Sequence, residues 1–318
     1  MTGRPGQDMF GPMSGKLLEC VPNFSEGRDR SIVDSIVASM TAVEGARCLA
    51  SEMDHSHHRS VVTLAGPAQA LVEAAVRGAR RAIERIDLRR HRGEHKRMGA
   101  IDVCPFVPLG DSSMEDAVRA ARETGQRIGE ELELPVFLYG EACARPERRV
   151  LGSFRNKEFE GLLELVGKDP LYEPDFGPPR LHASAGAVAV GARNFLIAYN
   201  INLATGDVGI AKAIAKAVRE RDGGLPRVQA MGFFLDDLRV AQVSMNLLDF
   251  RVTSIRRIFD EVSARAEAAG VSVAESELVG LAPSAALDEQ TARHVKLRGF
   301  DPDRQIVERR LALASEGR

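Results

Sequence analysis

The chain has 318 residues, with 43 Lys and Arg against 45 Asp and Glu and a formal net charge of −2. With no strongly basic half, it is excluded as a broad electrostatic binder of nucleic acid. Charged residues make up 28% of it and its apolar runs fall well short of the ~20 residues needed to span a bilayer, which excludes a membrane protein.

Residues 1–15, MTGRPGQDMFGPMSG, carry four Gly and two Pro without an apolar core, and read as a disordered tail rather than a secretion signal. The run KLLECVPNF (16–24) reads as a buried strand, and Ile32, Val33, Ile36, Val37 and Met40 repeat at helical spacing. CLASEMD (48–54) and RSVVTLAG (59–66) read as strands joined by a polar loop, and Pro67 opens a helix with Leu71, Val72, Ala75, Val76, Ala79 and Ile83 on one face. After the polar loop 87–100 comes the strand AIDVCPFVPL, completing a βαββαβ order, the ferredoxin-like unit. A helix over about 114–133 and the strand VFLYGEA (136–142) extend this first sheet. Four prolines in DPLYEPDFGPPRLHASAG (169–186) argue against regular structure there, leaving a linker or a loop that lines a cleft.

The second half repeats the order. FLIAYNINL (195–203) is a strand, Ile210, Ile214 and Val218 mark a helix from Asp207, and Gly223 and Gly224 end it. VQAMGFFL (228–235) and VAQVSMNLLDF (240–250) are strands, Ile255, Ile258, Phe259 and Val262 mark a helix, and VSVAESELVGL is a last strand. The expected fold is α+β: two ferredoxin-like (βαββαβ) subdomains packed around a cleft. The expected divisions are the tail 1–15, a subdomain over 16–176, a linker over 177–186, a subdomain over 187–300 and a C-terminal extension over 301–318. Cys20, Cys48, Cys104 and Cys143 lie far apart in apolar runs with no CxxC pair, as free thiols do in a reducing compartment, so the expected location is cytoplasmic.

Four segments carry candidate chemistry. DHSHHR (54–59) reads as a metal site at His55, His57 and His58, a solvated hairpin tip, or a binding element using Asp54, His58 and Arg59. RRHRGEHKRMGA (89–100) places Glu94 beside His95 in a loop whose Gly93 and Gly99 let backbone approach a ligand closely, and either His91 or His95 suits a general base. GARNFLIAYNINL (191–203) ends a strand in Tyr199, Asn200 and Asn202, and VPNFSEGR (21–28) ends one in Asn23, Ser25 and Glu26, with Ser25 as a helix N-cap. No P-loop and no GxGxxG follows a strand, so neither ATP nor NAD is expected.

Taken together, ECVPNFSEGR (19–28), HRGEHKRMGAIDVCPFVP (91–108), LPVFLYGEA (134–142), PDFGP (174–178), GARNFLIAYNINL (191–203) and VSMNLLDF (243–250) resemble the glutamate formiminotransferase family, in order, from about Leu17 to about Ser284. The resemblance implies two formiminotransferase subdomains, a homodimer, and transfer of a formimino group from N-formimino-L-glutamate to N5 of tetrahydrofolate. It implies tetrahydrofolate as co-substrate and small-molecule partners, with no metal, nucleic acid or membrane. The family's catalytic histidine, in GEHPRMGA, falls on His95, beside Glu94, and a family aspartate falls on Asp54. Its folate loop falls on Gly177, Pro178, Pro179, Arg180, Leu181, His182, Ala183, Ser184, Ala185 and Gly186. Here Lys96 replaces the motif's Pro, His58 replaces an Asn before Arg59, and LHASAG replaces an aromatic-containing stretch. Arg59, Arg97 and Arg193, each beside a motif, are expected to bind substrate carboxylates through paired hydrogen bonds, with Asn23, His58, Tyr199 and Asn202 completing the substrate contacts. His91, outside the matched catalytic position, serves as an internal control expected to matter much less than His95. The rival functions are formyl transfer from N-formylglutamate, a metal-dependent formimino or formyl hydrolase, and a folate-binding protein without turnover.

Overall fold

The structure is a computed structural model that describes residues 16–55, 57–93, 96–235 and 238–316. The chain falls into two compact units, divided between Arg193 and Asn194.

In the first unit, β1 (Leu17–Cys20) and β2 (Asn23–Phe24) form one strand interrupted at Val21 and Pro22, and both pair antiparallel with the same two neighbours. Proline lacks the donor a regular ladder needs. The helix α1 (Arg30–Thr41) starts where the Asp29 carboxylate accepts the amides of Ser31 (2.8 Å) and Ile32 (3.3 Å), and it buries Val33, Ile36 and Met40. The hairpin β3 (Arg47–Asp54) and β4 (Arg59–Pro67) leads into α2 (Ala68–Arg85), whose buried face is the Leu71, Val72, Ala75, Val76, Ala79 stripe. Then follow β5 (Ile101–Leu109), α3 (Met114–Leu132) and β6 (Val136–Gly140). Across the sheet the order is β3, β4, the broken β1/β2 strand and β5.

Beyond β5 the sheet turns parallel. Two short helices, α4 (Gly152–Arg155) and α5 (Glu158–Leu165), precede β7 (Val188–Ala192), which inserts between β5 and β6 and pairs in parallel with both. The sequence reading placed residues 187–192 at the head of the second subdomain; they complete the first sheet instead. Successive β6 and β7 residues face two different cores. Leu138, Val188 and Val190 pack with Ile128 of α3, whereas Phe137, Tyr139 and Ala189 pack with Phe154 of α4 and Leu162 of α5. A strand covered on both faces loses the apolar-polar alternation that marks strands in sequence.

The second unit contains β8 (Ile197–Leu203), α6 (Val208–Val218), β9 (Val228–Leu235), β10 (Val240–Leu247), α7 (Ile255–Ala268) and β11 (Val273–Val279). Its antiparallel sheet runs β11, β8, β10, β9. The Asp207 carboxylate caps α6 by accepting the Gly209 amide at 2.8 Å, and Ser254 caps α7. Three further helices follow: α8 (Glu289–His294), α9 (Pro302–Gln305) and α10 (Val307–Glu316). The stretch read as an extension from residue 301 is thus part of this unit, since Val307 and Leu311 are buried and the Ala282 amide donates to the Gln305 carbonyl at 2.9 Å. The order βαββαβ occurs in both units, and each has its own sheet, which makes the protein a mixed α+β chain.

Candidate functional site

Four of the segments singled out in the first unit converge at one end of its sheet. The end of β2 is tied to the 91–100 loop: the Ser25 hydroxyl donates to the Gly99 carbonyl (2.8 Å) and the Ser25 amide to the Ala100 carbonyl (2.9 Å). Ser25 is therefore a stitch between segments, and Asp29 takes the cap role expected of it. The buried Glu26 carboxylate accepts the amides of Arg28 (2.8 Å) and Asp29 (2.9 Å), and its same oxygen receives the His58 Nε2 at 3.2 Å. His58 also donates from Nδ1 to the Arg92 carbonyl at 2.9 Å, so both ring nitrogens face acceptors. Its ring stacks on His91 with centroids 4.1 Å apart and planes 8° from parallel. His91 in turn donates from Nε2 to the His58 carbonyl (2.8 Å). At 4% exposed it is buried, its Nδ1 has no hydrogen-bond partner among the described residues, and burial pushes its pKa down.

The segment 182–187 closes against the same loop. Gly99 and Gly186 form an antiparallel bridge, the Ala187 amide donates to the Met98 carbonyl (2.9 Å), and the Ala100 amide to the Ala185 carbonyl (2.8 Å). A Cβ on Gly99 would lie 1.8 Å from the Ala187 carbonyl oxygen, and one on Gly93 2.5 Å from that of His57. The two glycines expected to admit a ligand thus admit other stretches of this chain. His182 shapes the turn, its Nδ1 accepting the Ala185 amide at 3.0 Å. Upstream, PDFG docks on the open edge of β6. The Asp175 carboxylate accepts the Leu138 amide (2.7 Å) and pairs with the fully buried Arg148 (2.7 Å), and Gly177 turns away at φ +81°.

Residues 96–98 rest on α4 and α5. The Phe159 amide donates to the Arg97 carbonyl (2.9 Å), and the Lys96 ammonium reaches Asn156 at 3.1 Å. The Arg97 guanidinium makes a two-pronged pair with Glu160 (2.6 and 2.8 Å) and a third contact to Glu158 (3.3 Å). Burial works against its charge, and these carboxylates outweigh that and raise its pKa. Asp102, 2% exposed, accepts the Met98 amide at 2.7 Å on one oxygen and Arg155 Nε at 3.1 Å on the other. Burial pushes the Arg59 guanidinium down, with Asp102 pulling the other way. Among the described residues no group of three or more His, Cys, Asp and Glu is arranged to hold a metal ion; His57 turns to Asp54 (2.7 Å) and His58 to Glu26.

The expected residues therefore fare differently. His95 and Glu94 lie outside the described residues. Asp54, His58 and Arg59 sit within the converging segments. Of the folate segment, Gly177, Pro179, Arg180 and Ala183 are exposed, Pro178, Leu181, His182 and Ser184 half-buried, and Ala185 and Gly186 buried in the stitch. Asn23 spends its amide on the Val21 carbonyl (2.8 Å). Arg97 is committed to Glu160 and Glu158. Arg193 is anchored beside Phe106, its amide donating to that carbonyl at 3.1 Å, five residues or about 17 Å along β5 from Ile101. There it opposes the burial that lifts the Tyr139 hydroxyl to about 12. In the second unit Tyr199 is fully buried core, its hydroxyl pushed up by burial, and Asn202 is buried between Gln242 (2.9 Å) and Glu275 (3.0 Å). Sequence reasoning missed Asp102, Arg155, Glu158 and Glu160. Only Asp102 left a trace, as a lone carboxylate inside the apolar run AIDVCPFVPL.

The chain is similar in sequence to known proteins along nearly its whole length. Residues 17–193 match the family described as formiminotransferase domain, N-terminal subdomain, and residues 198–311 match formiminotransferase domain. The glutamate formimidoyltransferase of Thermoplasma acidophilum is 48% identical over 301 residues, covering 94% of this chain and 98% of that protein. That of Streptococcus pyogenes serotype M1 is 42% identical, covering 93% and 99%. The formimidoyltransferase-cyclodeaminase of Gallus gallus is 44% identical over 88% of this chain, which spans 53% of that protein. By two matched domains and near-complete coverage of its relatives, the chain belongs to the formiminotransferase family.

Proposed function

We propose that this chain is a glutamate formimidoyltransferase, moving the formimino group from N-formimino-L-glutamate to N5 of tetrahydrofolate. The products are L-glutamate and 5-formiminotetrahydrofolate. The observation that carries the reading is the identity of 42–48% to two proteins of that name over nearly their full lengths. Convergence of the four motif segments in the first unit supports it.

N5 attacks the amidine carbon, a tetrahedral intermediate forms, N5 loses a proton and the glutamate nitrogen gains one before the C–N bond to glutamate breaks. His95, in the position of the family's catalytic histidine, takes the first proton and delivers the second, a role worth about 10²–10⁴ in rate. Glu94 and Asp54 complete the acid-base set. Arg59 supplies positive charge toward substrate carboxylates, His58 lines the site while its ring nitrogens hold Glu26 and the Arg92 carbonyl, and tetrahydrofolate lies along the exposed part of the segment from Gly177 to Ser184. Arg97 contributes by holding the loop in place, because its guanidinium is already engaged. Both units are ferredoxin-like: counted within its own βαββαβ order, each runs fourth, first, third, second strand across the sheet. The reading carries with it a homodimer in the cytoplasm, which the four free cysteines suit.

The test offers tetrahydrofolate with formiminoglutamate, with formylglutamate and with buffer alone, in wild type and His95→Ala. Formimino transfer by wild type, lowered about 10²–10⁴-fold in the variant, is expected. Turnover of formylglutamate alone, or hydrolysis without tetrahydrofolate, would overturn the reading.

A further inference from the structure

We propose that Arg155 is a positioning residue, which through the Asp102 carboxylate holds residues 96–98 in the register the transfer reaction needs. Arg155 stands on α4, 59 residues from the loop it serves, and donates through Nη2 to the Lys96 carbonyl. Its Nε and Nη2 both donate to one oxygen of Asp102, whose other oxygen accepts the Met98 amide. One ion pair thus fixes a main-chain group on each side of Arg97, while the Phe159 amide fixes the Arg97 carbonyl between them.

The upstream end has its own anchor. His58 donates to the Arg92 carbonyl, so a cationic or imidazole donor from a distant segment pins the chain at residue 92 and another pins it at residue 96. Both pinned carbonyls flank the position where the family carries its catalytic histidine. The Asp102 and Arg155 side chains are 3% and 14% exposed, so water competes little for these bonds. Salt bridges on an open surface do not hold geometry in this way. Arg97 lacks this reach, because both prongs of its guanidinium go to Glu160. The inference rests on the proposed transferase reading for its effect on rate, and on geometry alone for its effect on the loop.

The experiment compares wild type with Arg155→Gln, Arg155→Lys and the charge-matched double variant Asp102→Asn/Arg155→Gln. Three quantities are measured: kcat and KM for both substrates, thermal stability, and amide hydrogen exchange at Met98 and Phe159. Arg155→Gln is expected to lower kcat about 10–100-fold with KM changed less than about threefold, since misplacing a reacting group by an ångström costs about 10². Arg155→Lys, which keeps the charge but not the fork, should recover part of that loss. Exchange at Met98 and Phe159, whose amides donate to Asp102 and to the Arg97 carbonyl, should rise at least about tenfold in Arg155→Gln. The double variant, which leaves no buried carboxylate unpaired, should show the same kcat loss with less loss of stability. If wild type shows no transferase activity, the functional reading fails alone and the exchange rates still decide the brace. Unchanged exchange, or a kcat within about twofold of wild type in a folded Arg155→Gln protein, overturns the proposal.

Discussion

His91 was expected to be a dispensable neighbour of the catalytic position, and its surroundings predict otherwise. Replacing it by Ala removes three things. The His58 carbonyl loses its donor, which costs about 1–3 kcal/mol for a group left unsatisfied in the interior. The stack on His58 is lost, worth about 0.5–1.5 kcal/mol for an aromatic pair, and a ring-sized void opens at a residue 4% exposed. Against these stands a gain, since the partnerless Nδ1 no longer has to be buried. The balance is a destabilisation of about 2–4 kcal/mol, or about 4–16 °C for a unit of this size. Melting followed by circular dichroism reads this directly, with His91→Phe and His91→Gln beside it. Phe keeps the stack and discards both nitrogens, whereas Gln keeps a donor near the Nε2 position, so each should lie closer to wild type than Ala. A His91→Ala protein melting within about 2 °C of wild type would refute the reasoning.

Because burial lowers the His91 pKa, its unfolded form takes up a proton at a higher pH than its folded form. Stability therefore falls as pH drops through the unfolded value of about 6.5, and denaturant midpoints at pH 7.5 and 5.5 should differ more in wild type than in His91→Phe; equal differences would count against it. Gly99→Ala drives a methyl into the Ala187 carbonyl and unzips the bridge to Gly186, for an expected loss of at least about 3 kcal/mol in urea unfolding, and a loss under about 1 kcal/mol would contradict the close approach. Arg148→Met leaves Asp175 buried without its cation and frees the Leu171 and Glu173 carbonyls, for about 3–5 kcal/mol in the same assay; a near-neutral result would mean that the pair contributes no net stability.

Where burial falls on one face, the sequence was legible. The stripe Leu71, Val72, Ala75, Val76, Ala79 located α2, and the strand 228–235 has the bounds its apolar run suggested. β7 escaped because AVAVGA is covered on both faces and alternates in nothing but which core it meets. The helices α4 and α5, four and eight residues long, are too short to show a period. For the site, motif strings identified the segments that converge but not the forces between them. Nothing local to Arg97 announces Glu160, 63 residues on, and nothing in GEHKRMGA says that its final glycine makes room for Ala187. Such facts belong to tertiary packing.

The place of β7 bears on how the chain is made. It is the last strand of its unit to leave the ribosome, yet it fills the slot between β5 and β6, which are synthesised earlier and cannot pair with each other while the slot is kept for it. Until residue 192 emerges, β5 and β6 each expose a row of unpaired amides and carbonyls, the kind of edge that recruits other chains. The nascent unit thus passes through a stage that favours aggregation and ends only when its final segment arrives. A fragment cut at residue 176 would be held permanently at that stage, whereas one carried through Arg193 would have its sheet closed.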